Sequence, residues 1–122
     1  MNCPRCKSDM EPVTIKGVEI DRCMGCKGLW FDMGELEQLK KLAGAETVDT
    51  GHGGDHWKDV AHINCPRCET QMIRMVDLHH NHIWYEGCTV CYGVFLHAGE
   101  FKEMVHDTVI ERIKDFFAPT RH

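Results

Sequence analysis

Apolar and polar residues alternate in two pairs of short runs. Val13-Thr14-Ile15 and Val18-Glu19-Ile20 flank Lys16-Gly17, while Met72-Ile73-Arg74-Met75-Val76 and Ile83-Trp84-Tyr85 flank a longer stretch, 77–82. Period-two alternation around a turn predicts a β-hairpin, and Gly17 supplies the positive φ that a two-residue turn needs. After each hairpin the period changes. Leu36, Leu39 and Ala43 recur at helical spacing and Gly44 stops the run. Phe101, Val105, Val109, Ile113, Phe116 and Phe117 form a longer stripe that Pro119 ends. The pattern predicts a short helix after the first hairpin and a long amphipathic one, from Gly99 to Phe117, after the second. Asp32 with Glu35, and His97 with Glu100, lie three apart at the two helix starts, the spacing of a capping box.

The chain repeats itself. Cys3-Pro4-Arg5-Cys6 returns as Cys65-Pro66-Arg67-Cys68, and Cys23-Met24-Gly25-Cys26 as Cys88-Thr89-Val90-Cys91. The match continues through Gly28 and Gly93, Trp30 and Phe95, Phe31 and Leu96, Gly34-Glu35 and Gly99-Glu100, and Leu36 and Phe101. The expected organisation is a first ribbon with its short helix over 1–43, a polar linker over 44–64, a second ribbon over 65–98, and an amphipathic helix and tail over 99–122. The linker is acidic and glycine-rich around Gly51-His52-Gly53-Gly54, with room for one helical turn near Trp57 to Ala61.

Eight cysteines in 122 residues point to disulfides or metal. No apolar run approaches the ~20 residues that span a bilayer, and no secretory leader is visible at Met1-Asn2-Cys3. A cytoplasmic setting follows as the expectation, and there thiols stay reduced, which favours metal. Two residues between cysteines let one tight turn aim two sulfurs at a single ion, and each hairpin returns the chain to complete the set. Gaps of 16 and 19 residues separate the pairs, close to the ~15–20 typical of four-cysteine zinc sites. The expected cofactor is zinc, two ions per chain. One is held by Cys3, Cys6, Cys23 and Cys26, the other by Cys65, Cys68, Cys88 and Cys91. Four thiolates leave no open coordination position, so both ions read as structural. The fold class is small α+β, metal-stabilised: two zinc ribbons, each a β-hairpin with zinc knuckles followed by an α-helix, the second helix long.

Cys-Pro-Arg-Cys, a hairpin, Cys-x-x-Cys-x-Gly, then an aromatic and Gly-Glu resembles the bacterial zinc ribbon named for transcription factor IIB. Cys3 to Leu42 and Cys65 to Met104 carry the likeness. Gly28-Leu29-Trp30-Phe31-Asp32-Met33-Gly34-Glu35-Leu36 is a close match, while the second copy departs with Val94-Phe95 for Leu29-Trp30 and His97 for Asp32. The resemblance implies a zinc-binding ribbon fold and does not imply transcription initiation.

The remaining features are less specific. Nine histidines stand at 52, 56, 62, 79, 80, 82, 97, 106 and 122. A further metal site is one reading of them, and solvated loop residues the blander one. Trp30, Phe31, Phe95 and Leu96 are expected to fill the small cores rather than stack on bases. Arg5, Lys7, Lys16, Arg22 and Lys27 mix with Asp9, Glu11, Glu19 and Asp21, which reads as solvated surface. Arg5 and Arg67 recur in both knuckles as possible donors to thiolates or phosphates. No phosphate loop, dinucleotide fingerprint or His-Glu-x-x-His is present, and no cysteine is spare, so no enzyme is expected.

Formal charge is −5. Eight thiolates add −8 and two zinc ions +4, leaving about −9 when loaded. That balance disfavours non-specific nucleic-acid binding. The leading expectation is a non-enzymatic module that binds a protein partner, or a second copy, through the long C-terminal helix, whose apolar face a small ribbon cannot cover. The other outcome for that helix is to fold back on the first ribbon or the linker, making one compact unit. Nucleic-acid binding through the ribbons is the alternative, and metal handling or zinc chemistry using the histidines a third.

Overall fold

The computed structural model describes residues 1–42, 44–51, 62–76 and 83–105. The first hairpin forms as expected. Strand β1 (Met10–Ile15) pairs antiparallel with β2 (Val18–Cys23) in full register from Met10 against Cys23 to Ile15 against Val18. Lys16 and Gly17 both take positive φ, 48° and 86°, to close the turn. A third strand, β3 (Leu29–Phe31), follows the second cysteine pair and adds to β2. Helix α1 (Glu35–Lys40) then buries Leu36 and Leu39.

The second unit repeats this order with β4 (Ile73–Val76), β5 (Trp84–Gly87), β6 (Val94–Leu96) and helical residues 100–105. Its hairpin register, Ile73 against Gly87 and Met75 against Tyr85, reproduces Glu11 against Arg22 and Val13 against Ile20. Among the described residues every helix is short. The long second helix expected to Phe117 is not supported by them, and 106–122 lie outside the described residues.

The two units are joined edge to edge. Strands β3 and β6 pair antiparallel, with Trp30 opposite Phe95, to give one six-stranded sheet ordered β1-β2-β3-β6-β5-β4. Trp30 and Phe95 are repeat equivalents, so the units face each other across an approximate two-fold axis at that pair.

Strand alternation assigns the two faces of this sheet to two cores. Leu29, Phe31, Leu96 and Ile20 face the helical residues Leu36, Leu39, Phe101, Met104 and Val105. Phe31 meets Phe101 of the other unit at 5.4 Å between ring centroids. Trp30 and Phe95 point the opposite way, into a cluster with Cys3, Cys23, Cys65, Cys88, Ile63 and Met72. Both clusters mix the two units. The expectation of a separate small core under each ribbon is thereby corrected: three-residue strands bury their aromatics only by sharing them.

The start of the expected linker is folded. Gly44 leads into a 3-10 turn, Ala45–Val48, with Ala45 and Val48 buried. Arg22 Nη1 donates to the Val48 carbonyl at 3.0 Å, so this strap is laid on the first hairpin. The helical turn expected near Trp57 to Ala61 lies outside the described residues.

Candidate metal centres

Each cysteine pair sits in a knuckle whose first sulfur accepts backbone N–H groups. Arg5 donates to Cys3 Sγ at 3.4 Å, and Gly25 and Cys26 both donate to Cys23 Sγ at 3.3 Å. The second unit matches, with Arg67 and Cys68 on Cys65, and Val90 and Cys91 on Cys88. To turn so tightly, the residue after each second cysteine adopts left-handed φ: Lys7 68°, Lys27 67°, Glu69 64° and Tyr92 61°. No glycine occupies these four positions, so each knuckle carries backbone strain.

The turns deliver the sulfurs as two closed groups. Cys3, Cys6, Cys23 and Cys26 have all their sulfurs within 4.8 Å of one another, as do Cys65, Cys68, Cys88 and Cys91. Sulfurs about 2.3 Å from one ion lie roughly 3.8 Å apart at the corners of a tetrahedron. Cys3 and Cys26 are 3.7 Å apart, Cys6 and Cys23 3.3 Å, and Cys65 and Cys91 3.7 Å. A disulfide would bring two sulfurs to about 2.05 Å, and all eight cysteines are free. Each group could therefore hold one zinc ion.

The thiol acidities suit a bound cation. The hydrogen bond from Cys3 lowers Cys26 to about 5, and the same bond, with burial, raises Cys3. In the second group burial raises Cys68 to about 12. Burial also works against the Cys88 thiolate, but N–H donation from Cys91 and Val90 outweighs it and brings that thiol down to about 6. Burial and mutual hydrogen bonding thus push neighbouring thiols in opposite directions, and a divalent cation favours the thiolate form of its sulfur ligands. Ser8 hydrogen-bonds Cys6, and its repeat equivalent Thr70 places Oγ1 3.7 Å from Cys88 Sγ.

The residues around the clusters divide differently from the sequence expectation. Arg67 turns its side chain to the first unit, with Nε 2.5 Å from Asp32 Oδ1, Nη2 2.9 Å from Oδ2, and Asp21 at 3.9 Å. Asp32 also accepts from Trp30 Nε1 at 3.1 Å. Its carboxylate is thus unavailable as a helix cap, and only half of the expected capping box forms, with Glu35 Oε1 accepting from Asp32 N. Arg22, read as solvated, is paired with Glu11 at 2.9 Å.

At the second helix start the capping group comes from elsewhere. Asp49, buried at the end of the strap, accepts from Gly99 N and Lys102 N at 2.9 Å each and from Gly51 N at 3.3 Å. Sequence reasoning missed this because donor and acceptor lie 50 residues apart. Strands β3 and β6 were missed as strands too, although Leu29-Trp30-Phe31 and Val94-Phe95-Leu96 are the apolar runs that form them.

Of the histidines, His62 is exposed and His97 is buried, its ring 5.2 Å from that of Phe95. Burial, with Arg5 and Arg74 nearby, lowers its pKa to about 3. The other seven lie outside the described residues. Among the described residues the two cysteine groups are the only clusters of three or more histidines, cysteines or acids close enough to hold an ion.

Residues 2–42, which are the first unit, match the model of a transcription factor zinc-finger family of the zinc-ribbon type named for factor IIB. No curated protein and no solved structure matches the chain.

Proposed function

We propose that this chain is a non-enzymatic, zinc-stabilised interaction module of the cytoplasm, and that its partner is a protein. The zinc ligands in this reading are Cys3, Cys6, Cys23 and Cys26, and Cys65, Cys68, Cys88 and Cys91. Four sulfurs around each ion leave no position for water or substrate, which favours a structural role over Lewis-acid chemistry.

The observation that carries the protein-partner reading is a difference between the repeats. Glu11 and Lys27 of the first unit have Ile73 and Tyr92 as equivalents, which are 48% and 64% exposed. With Met75, Thr89 and Val94 they line an apolar groove of about 220 Å³ that runs over Gly87. Arg22 fills the same place in the first unit. Apolar side chains gathered around one groove, at positions that the sister unit makes charged, favour a binding surface over a solvated one.

The first part of the apolar stripe expected on a C-terminal helix is used inside the molecule. Phe101 and Val105 are already buried in the shared core; Val109, Ile113, Phe116 and Phe117 lie outside the described residues. Overall acidity weighs against nucleic acid.

The test is capture by the intact zinc-loaded protein after nuclease treatment, comparing wild type with Ile73→Glu, Tyr92→Glu. A protein retained by wild type and lost by the double variant is the expected result. Sub-micromolar binding to a defined DNA or RNA at physiological salt would favour the nucleic-acid reading instead.

A further inference from the structure

Each unit lends the other the aromatic that packs behind its metal knuckle. Gly28 follows Cys26 by two residues, and a Cβ there would overlap the ring of Phe95 from the second unit. Gly93 follows Cys91 by two, and a Cβ there would overlap the indole of Trp30 from the first. The exchange is reciprocal, and both rings are completely buried. Their cluster includes the first cysteine of all four pairs, Cys3, Cys23, Cys65 and Cys88.

A polar connection runs parallel to it. Arg67 donates its backbone N–H to Cys65 Sγ and its guanidinium to Asp32. Asp32 accepts from Trp30, whose ring lies on Gly93 beside Cys91. Displacement of either knuckle therefore removes a wall from the other.

We propose that the two metal centres are energetically coupled, so that zinc at one group tightens zinc at the other and the chain gains and loses its two ions as a pair. Packed interiors do not deform gradually. A knuckle released from its ion frees the aromatic it seats, and that aromatic is part of the other knuckle's support. Coupling between two sites is reciprocal and commonly amounts to about 5- to 150-fold in affinity.

This inference rests on the zinc reading but can fail independently of it. Stepwise removal of zinc from the whole protein by a chromogenic chelator, followed by native mass spectrometry, counts the two-, one- and zero-zinc forms. At half release the one-zinc form is expected to stay well below half of the molecules. Arg67→Met keeps all eight cysteines and cuts the polar connection, and is expected to raise that form severalfold. Cys91→Ser is expected to weaken zinc at the first group about fivefold or more and to speed amide exchange across 10–23.

A one-zinc form that reaches half of the molecules or more in wild type overturns release as a pair, and one that Arg67→Met leaves unchanged overturns the coupling; either result leaves the zinc sites standing. First-group affinity and exchange unchanged by Cys91→Ser overturn it equally. A chain isolated without zinc overturns both readings together.

Discussion

At the residue scale the four left-handed knuckle positions carry a cost that the sequence could avoid. Lys27 at φ 67° holds a conformation worth about 1–2 kcal/mol of strain for an L-residue, partly offset by the extra freedom glycine has when unfolded. Lys27→Gly is expected to stabilise the loaded protein by up to about 1 kcal/mol, whereas Lys27→Val, branched at Cβ, should destabilise it by at least about 1 kcal/mol. Urea midpoints of the two variants decide this, and a less stable glycine variant would contradict it.

His97 gives a pH dependence with a definite sign. Its folded pKa is lowered to about 3, against about 6.5 unfolded. The neutral ring is thus favoured on folding, and its contribution is complete above about pH 6.5. It is lost as pH falls from there toward 3. Wild type should therefore lose stability faster than His97→Gln between pH 6.5 and 4.5. Equal slopes in parallel denaturation series would show that His97 titrates normally.

At the element scale the strap at 45–51 turns a connection into a structural member. Asp49 satisfies three backbone donors, two of them at the start of the second unit's helix. Buried hydrogen bonds to a charged group contribute about 1.5–3 kcal/mol. Asp49→Ala is expected to cost about 2 kcal/mol and to raise amide exchange at Gly99 and Lys102. Normal protection at both amides would show that another group serves them. The β3–β6 pairing is equally specific. Gly93→Ala forces a methyl into the Trp30 indole, and overpacking of this kind costs about 1–3 kcal/mol. A methyl accepted without loss of thermal midpoint would mean that the ring has somewhere to go.

At the scale of the whole molecule, two ribbons too small to build a core separately share two between them, one on each face of the joint sheet. Domains this short generally need metal or another staple, and here the joint sheet supplies what neither hairpin does. Electrostatics then limits the company such a molecule keeps. With about −9 when loaded, it should bind DNA or RNA weakly and lose that binding steeply as salt rises from 50 to 200 mM. Fluorescence anisotropy across that range checks this, and salt-independent tight binding would contradict it.

The sequence by itself determined whatever depends on neighbours along the chain. The spacing within Cys3-x-x-Cys6 and its three counterparts places the sulfur pairs, because a knuckle is a local turn, and the hairpin between two knuckles brings the pairs together. Alternation over Val13 to Ile20 and over Met72 to Tyr85 places the hairpins, because pleating is local too. Tertiary structure decided everything that joins residues far apart. The pairing of Trp30 with Phe95, the grip of Arg67 on Asp32 and the capping of Gly99 by Asp49 leave no periodic trace. Nothing in Leu29-Trp30-Phe31 says which strand it will meet; a three-residue apolar run buries both its faces only when a second such edge lies against it, and the fold chose its own repeat.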